Sequence, residues 1–164
     1  MVAIRKSFEE GHRRKFLVIV DDTPECDRAI VYAAKRAART NGVVTLLYVI
    51  APGTFQHWLG VENIMRAEAT EEAEKTLGKA AERARAVART EPETVIREGN
   101  KSEEIIKLIE SDDDIAILVL AAGMSADGPG PLVTSIAGKS AGAFPIPVTI
   151  VPGNLDDDSL AALA

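Results

Sequence analysis

The chain has 164 residues, with 46% hydrophobic residues, 27% charged residues and only 4% aromatics. That length is one domain, large enough to bury a real core. A net charge of −6 argues against a nucleic-acid or anionic-membrane binder, since both need a basic face, and the scarcity of aromatics argues against a base-stacking platform. A small anionic ligand stays open, because a few backbone N–H groups can hold a phosphate on an acidic protein. One cysteine, Cys26, excludes an internal disulfide framework and a multi-cysteine zinc site, and points weakly to a reducing compartment. His12 and His57 lie far apart in the chain and suggest no metal constellation.

Residues 1–13 mix charges and lack an apolar segment of the kind a secretory leader needs, so they read as an N-terminal extension. No stretch approaches 18 apolar residues, and the expectation is a soluble cytoplasmic protein. Five short apolar runs follow, at Phe16–Val20, Val43–Ile50, Thr94–Arg97, Ile115–Ala121 and Val148–Val151. Runs this continuously apolar suit parallel strands covered on both faces.

Helical patterns separate them. Pro24 to Arg39 carries Ala29, Ile30, Ala33, Ala34 and Ala37 at helical spacing, with Thr23 as the expected N-cap and Asn41-Gly42 as the stop. Residues 61–89 form a long helix, expected to break near its start, whose apolar seam runs through Ile64, Ala73, Leu77, Ala80, Ala84 and Val87. Ser102 to Ser111 reads as a short helix capped by Ser102 and ended in solvent by Asp112, Asp113 and Asp114. Leu132 to Ala143 reads as a small-residue helix, and the acidic stretch 154–164 as a frayed tail. The alternation predicts an α/β fold: a doubly wound, five-stranded parallel sheet with helices on both faces, Rossmann-like, spanning 14–153 between the extension and the tail. Ligands of such sheets bind outside the carboxyl ends of the strands, where the strand order reverses. The loops after Val20, Ile50 and Ala121 are therefore the ones that matter.

Several motifs compete for attention. Asp21-Asp22 after the first strand resembles the acidic pair of a two-component receiver. No strand supplies the third aspartate a receiver needs beside its Mg²⁺, and the lysine of that family is also missing. Gly138-Lys139-Ser140 resembles the end of a P-loop, but Val133 stands where that loop needs glycine. Gly138 and Gly142 then read as close-packing positions. Asp21-Asp22-Thr23-Pro24 likewise lacks the signature of an adenylating enzyme, and nothing marks a general base or a metal set for hydrolysis. The segment from Gly123 to Ser135 is the most informative. It runs from a buried strand to a helix through a glycine-rich loop that ends in hydroxyl residues, a setting that favours phosphate. Pro129 and Pro131 remove N–H donors from it. Phe55, His57 and Trp58 form either a lid or a hydrophobic patch, and Cys26 reads as a small core residue.

In order along the chain, these pieces resemble the universal stress protein family over residues 14–153. Arg14 to Asp21 resembles the opening strand "kiLvavDgS", and Thr45 to Val49 resembles "tLLHV". Glu98 to Ile106 resembles "eGdpaeaIl", Asp114 to Ala121 "aDLiVmG", and Pro145 to Val151 "cPVlvV". The resemblance implies a cytoplasmic homodimer joined through the last strand (Val148, Thr149, Ile150, Val151). It also implies an adenine-nucleotide site for ATP or AMP, with Mg²⁺ only if ATP is bound. Val20, Asp21 and Val49 match positions near the base and ribose. Gly123, Gly128, Gly130, Thr134 and Ser135 fall where the phosphates would lie. Nucleotide-binding members carry G-x2-G-x9-G-S/T after the fourth strand. Counted back from Pro145, Thr134 takes the place of the last glycine, and Ala121 and Met124 fall on the first two. The glycines here are shifted along the loop. A branch of the family without the motif does not bind ATP, so the alternative is a non-nucleotide interaction protein of the same fold with an unidentified protein partner.

Overall fold

The computed structural model describes residues 3–52 and 60–164. Phe55, His57 and Trp58 lie outside the described residues. Ten main elements alternate: β1 (Lys15–Ile19), α1 (Cys26–Arg39), β2 (Val43–Ile50), α2 (Val61–Ala88), β3 (Glu93–Glu98), α3 (Lys101–Ser111), β4 (Ile115–Ala122), α4 (Pro131–Ile136), β5 (Val148–Pro152) and α5 (Asp157–Leu163). The five strands form one sheet in the order β3-β2-β1-β4-β5, with every pairing parallel. The chain winds outward from β1 to β3, then crosses back to place β4 on the other side of β1. That reversal sits between β1 and β4.

The strands alternate strictly between two cores. Phe16, Val18, Val20, Val44 and Leu46 face α1 and α2. Leu17, Ile19, Leu47, Val49, Leu118 and Leu120 face α3 and α4. Both sets are buried, which is why the runs read as continuously apolar. The alanine stripe of α1 is buried in full, and small side chains there let the helix lie close to the sheet. Asn41, at φ +53°, turns the chain after α1, and the Gly42 N–H caps the Ala37 carbonyl at 2.8 Å.

Local boundaries depart from the sequence pattern where a competing hydrogen bond wins. Thr23 does not cap α1: its N–H and hydroxyl both bond Asp21 Oδ1, the N–H at 2.9 Å, and Glu25 takes the cap position. Asn100, not Ser102, caps α3 by accepting the Glu103 N–H at 3.1 Å. α2 is unbroken, and its buried seam starts at Ala73, leaving Ile64 60% exposed. α4 stops at Ile136; a turn and a short 3-10 helix, Ala141–Ala143, replace its expected second half. Gly138 does mark a close approach, since a Cβ there would lie 2.3 Å from the Thr134 carbonyl, whereas Gly142 faces open space.

Two acidic runs expected in solvent are instead tied down. At the amino ends of β1 and β4, Asp112 accepts from Lys15 Nζ at 2.7 Å and Asp114 meets His12 Nδ1 at 2.6 Å. The extension adds the Lys6 N–H to the Asp113 carbonyl at 3.0 Å. The 154–164 tail folds as α5 and docks on α1. Leu160 is fully buried, Asp156 caps the helix through the Ser159 N–H at 2.7 Å, and Arg39 Nη1 bonds the Ala161 carbonyl at 2.7 Å. Asp157 lies between Arg28 at 2.8 Å and Arg83 at 3.0 Å, and Asp27 bonds the same two arginines. α5 thus covers the sheet beside β5, joining Val151 and Val119 in one core with α1. No helix among the described residues is long and apolar enough to cross a membrane.

Truncating Leu160 to alanine should cost about 2–4 kcal/mol in denaturant unfolding, as for other fully buried leucines. The clasp also has a pH signature. Hydrogen bonds from Arg83 and Arg28 hold the Asp157 carboxyl below its ordinary 3.8. Burial pushes Asp27 up, but bonds from the same arginines outweigh it, and its carboxyl too stays low. A depressed carboxylate contributes its stability above the unfolded pKa and loses it as pH falls through the folded value. Unfolding free energy should therefore hold steady from neutral pH to about 4 and fall below it. The fall should be shallower in Arg83→Gln.

Candidate functional site

The carboxyl ends of β4 and β5 and the amino end of α1 open on a cleft of about 1120 Å³. Gly123, Gly128, Gly130, Thr134 and Ser135 all line it, so five of the expected ligand residues converge. The other three do not. Asp21 borders a smaller recess of about 200 Å³ that it shares with Gly130 and Cys26. Val20 is buried with its side chain in the core under α1, and its N–H bonds the Leu47 carbonyl at 2.7 Å. Val49 belongs to the opposite core and borders a separate recess of about 270 Å³ beside Gly99 and Lys101. Gly138-Lys139-Ser140 lines the cleft from the far end of α4, rather than from a strand-to-helix turn, so the P-loop likeness ends in the sequence.

The loop from β4 to α4 is built from glycine for a conformational reason. Gly128 at φ +106° and Gly130 at φ +112° occupy backbone regions that side chains resist. The loop then spends several of its donors on itself. The Gly123 N–H bonds the Pro129 carbonyl at 3.0 Å and the Gly128 N–H bonds the Ser125 carbonyl at 3.0 Å. The Asp127 N–H bonds Ser125 Oγ at 3.1 Å, and the Thr134 hydroxyl turns back to the Gly130 carbonyl at 2.9 Å. Pro129 and Pro131 have no N–H to give. Ser135 keeps an exposed hydroxyl on the cleft.

One side chain that no motif marks stands in the middle of this geometry. Glu25, half-buried at the amino end of α1, lines the cleft beside Gly123 and Gly153. A Cβ on Gly123 would lie 2.8 Å from Glu25 Oε1, and one on Gly153 would lie 3.4 Å from Glu25 Cβ. The glycine at the end of β4 therefore makes the seat in which the Glu25 carboxylate rests. No spacing rule marks such a glutamate; only the folded chain brings positions 25, 123 and 153 together.

Cys26, next in line, is inert. Burial pushes its thiol up to about 12, and the carboxylates of Asp21, Asp27 and Glu25 add to the effect. Its Sγ–H points to the Ile19 carbonyl at 3.6 Å. No group of three His, Cys, Asp or Glu side chains among the described residues is placed to hold a metal ion.

The family model of the universal stress protein family matches residues 12–152. This chain belongs to the universal stress protein family. Solved members share its fold at low identity. Universal stress protein UspA from Lactobacillus plantarum is 18% identical over 84% of this chain and 97% of its own, with a TM-score of 0.67. The universal stress protein from Archaeoglobus fulgidus in complex with dAMP is 18% identical, covering 84% and 97%, with a TM-score of 0.60. An Arabidopsis thaliana family protein with AMP bound is 16% identical, covering 88% and 94%, with a TM-score of 0.54. A comparison with curated protein sequences gave no match.

Because the thiolate is the reactive form, native Cys26 should resist alkylation at pH 8. Mass spectrometry should show no iodoacetamide adduct until denaturant is added, and rapid labelling afterwards. Rapid labelling of the folded protein would contradict the buried placement.

Proposed function

We propose that this universal stress protein binds an adenine nucleotide, ATP or AMP, weakly at the reversal in strand order, without a catalytic step of its own. The observation that carries the reading is the convergence of Gly123, Gly128, Gly130, Thr134 and Ser135 on one cleft at the carboxyl end of β4, adjoining the recess between β1 and β4 through Gly130. Doubly wound sheets place their ligands there. Solved relatives described in complex with dAMP and with AMP add support. Asp21, in the recess that also borders Gly130, would hold the adenosine side, and Gly130, Thr134 and Ser135 the phosphate end, whereas Val20 and Val49 lie outside the cleft. The fit is uneven. The cleft has room for a nucleotide, but the N–H groups of Gly123 and Gly128 are already bonded, and Thr134 donates to Gly130. That weakens the hold on phosphates, and Mg²⁺ enters only with ATP.

The same spent donors favour a second reading, a regulatory interaction protein of this fold that holds no nucleotide. In both readings the protein acts as a cytoplasmic homodimer joined edge to edge through β5. Among the described residues β5 pairs only with β4, and Ile150 is 39% exposed on that edge strand. An unpaired parallel edge invites pairing with a second copy.

Calorimetry with ATP, ADP and AMP should give saturable heat with Kd in the range of about 0.1–1 mM. Nucleotide at about ten times Kd should raise stability by about 1.4 kcal/mol, or Tm by about 3–6 °C. Neither heat nor a Tm shift with any of the three would leave the second reading. For the dimer, Ile150→Lys should move the sedimentation mass from dimer to monomer with the circular dichroism spectrum unchanged. A wild-type chain that sediments as a monomer would overturn the edge pairing.

A further inference from the structure

We infer that Glu25 sets the charge limit of the cleft, selecting nucleoside monophosphates and rejecting polyphosphates; this rests on the nucleotide reading above. Three observations lead there. The Glu25 side chain lies at the carboxyl ends of β4 and β5, seated against Gly123, where a Cβ would crowd its carboxylate, and in van der Waals reach of Gly153. It lines the same cleft as Gly130 and Ser135, the residues assigned to the phosphate end. Its carboxylate makes no hydrogen bond or ion pair with any described residue, so no cation among the described residues pairs with it before a ligand arrives.

The seat also explains why a carboxylate is stable there. Glu25 is the N-cap residue of the 14-residue helix α1, and the positive end of a helix favours a negative charge. That end would otherwise attract phosphate. Glu25 fills it with a charge of the protein's own. Asp127 lines the cleft with the same sign, and exposed Lys139 is the cation among its lining residues. A unit charge about 4 Å from a like charge in near-aqueous surroundings shifts an equilibrium about fivefold. ATP carries about two more negative charges than AMP, so the discrimination should reach about tenfold or more.

The test is equilibrium binding of adenosine, AMP and ATP to wild type, Glu25→Gln and Glu25→Lys, at fixed ionic strength, with circular dichroism on each variant. Wild type should prefer AMP to ATP. Glu25→Gln should tighten ATP by about tenfold and AMP by less, leaving adenosine unchanged. Glu25→Lys should invert the order, so that ATP binds more tightly than AMP. AMP binding in all three proteins with an unchanged ATP-to-AMP ratio would overturn this inference and spare the nucleotide reading. An equal change for adenosine and ATP would also overturn it, because the side chain would then act on the shape of the site rather than its charge. Binding of none of the three probes by any variant would sink the nucleotide reading, and this inference with it.

Discussion

A parallel sheet with two apolar faces must be covered twice, and most of this structure follows from that need. α1 and α2 cover one face, and α3 and α4 the other. Right-handed crossovers place successive helices on one face only while the strand order runs in one direction. To cover the second face the chain has to reverse, and it does so between β1 and β4. The loops leaving those strands then diverge to opposite sides of the sheet, and the space between them is the cleft. α5 meets the same need at the edge, where no crossover helix covers the α1 side of β5.

The cleft carries chemistry set by this chain's own loop and helix start. A phosphate cradle works by leaving N–H groups unpaired and pointed at one spot. Here the loop folds back through the Gly123–Pro129 and Gly128–Ser125 hydrogen bonds, so its glycines serve a compact turn as much as a ligand. Glu25 adds a negative charge where phosphates would collect. Charge elsewhere on the protein plays little part. The runs Asp112–Asp114 and Asp156–Asp158 are tied to the amino ends of β1 and β4 and to the α1–α2 clasp, and neither lines the cleft.

Periodicity revealed all five strands to within a residue or so at their ends and four of the five helices in outline, because burial on two faces leaves a plain apolar signature. It failed where short-range hydrogen bonds compete. Thr23 and Ser102 are good caps by type, yet Asp21 captures the first and Asn100 reaches the Glu103 N–H before the second. The tail misread for a related reason. Asp156, Asp157 and Asp158 look like a solvated run until Arg28 and Arg83, distant in the chain, are placed beside them.

The glycine loop and its hydroxyls were visible as a segment, since strand, glycines and Ser/Thr lie consecutively along the chain. Their convergence on one cleft followed from the strand order alone. The sequence by itself determined the fold class, the family and the position of the glycine-rich loop after the fourth strand, because each rests on local pattern and order. Only the tertiary structure decided which donors that loop keeps and what charge faces them. The first depends on how the loop folds back on itself, as in the Gly123–Pro129 hydrogen bond, and the second on contacts between residues about a hundred positions apart, as between Glu25 and Gly123.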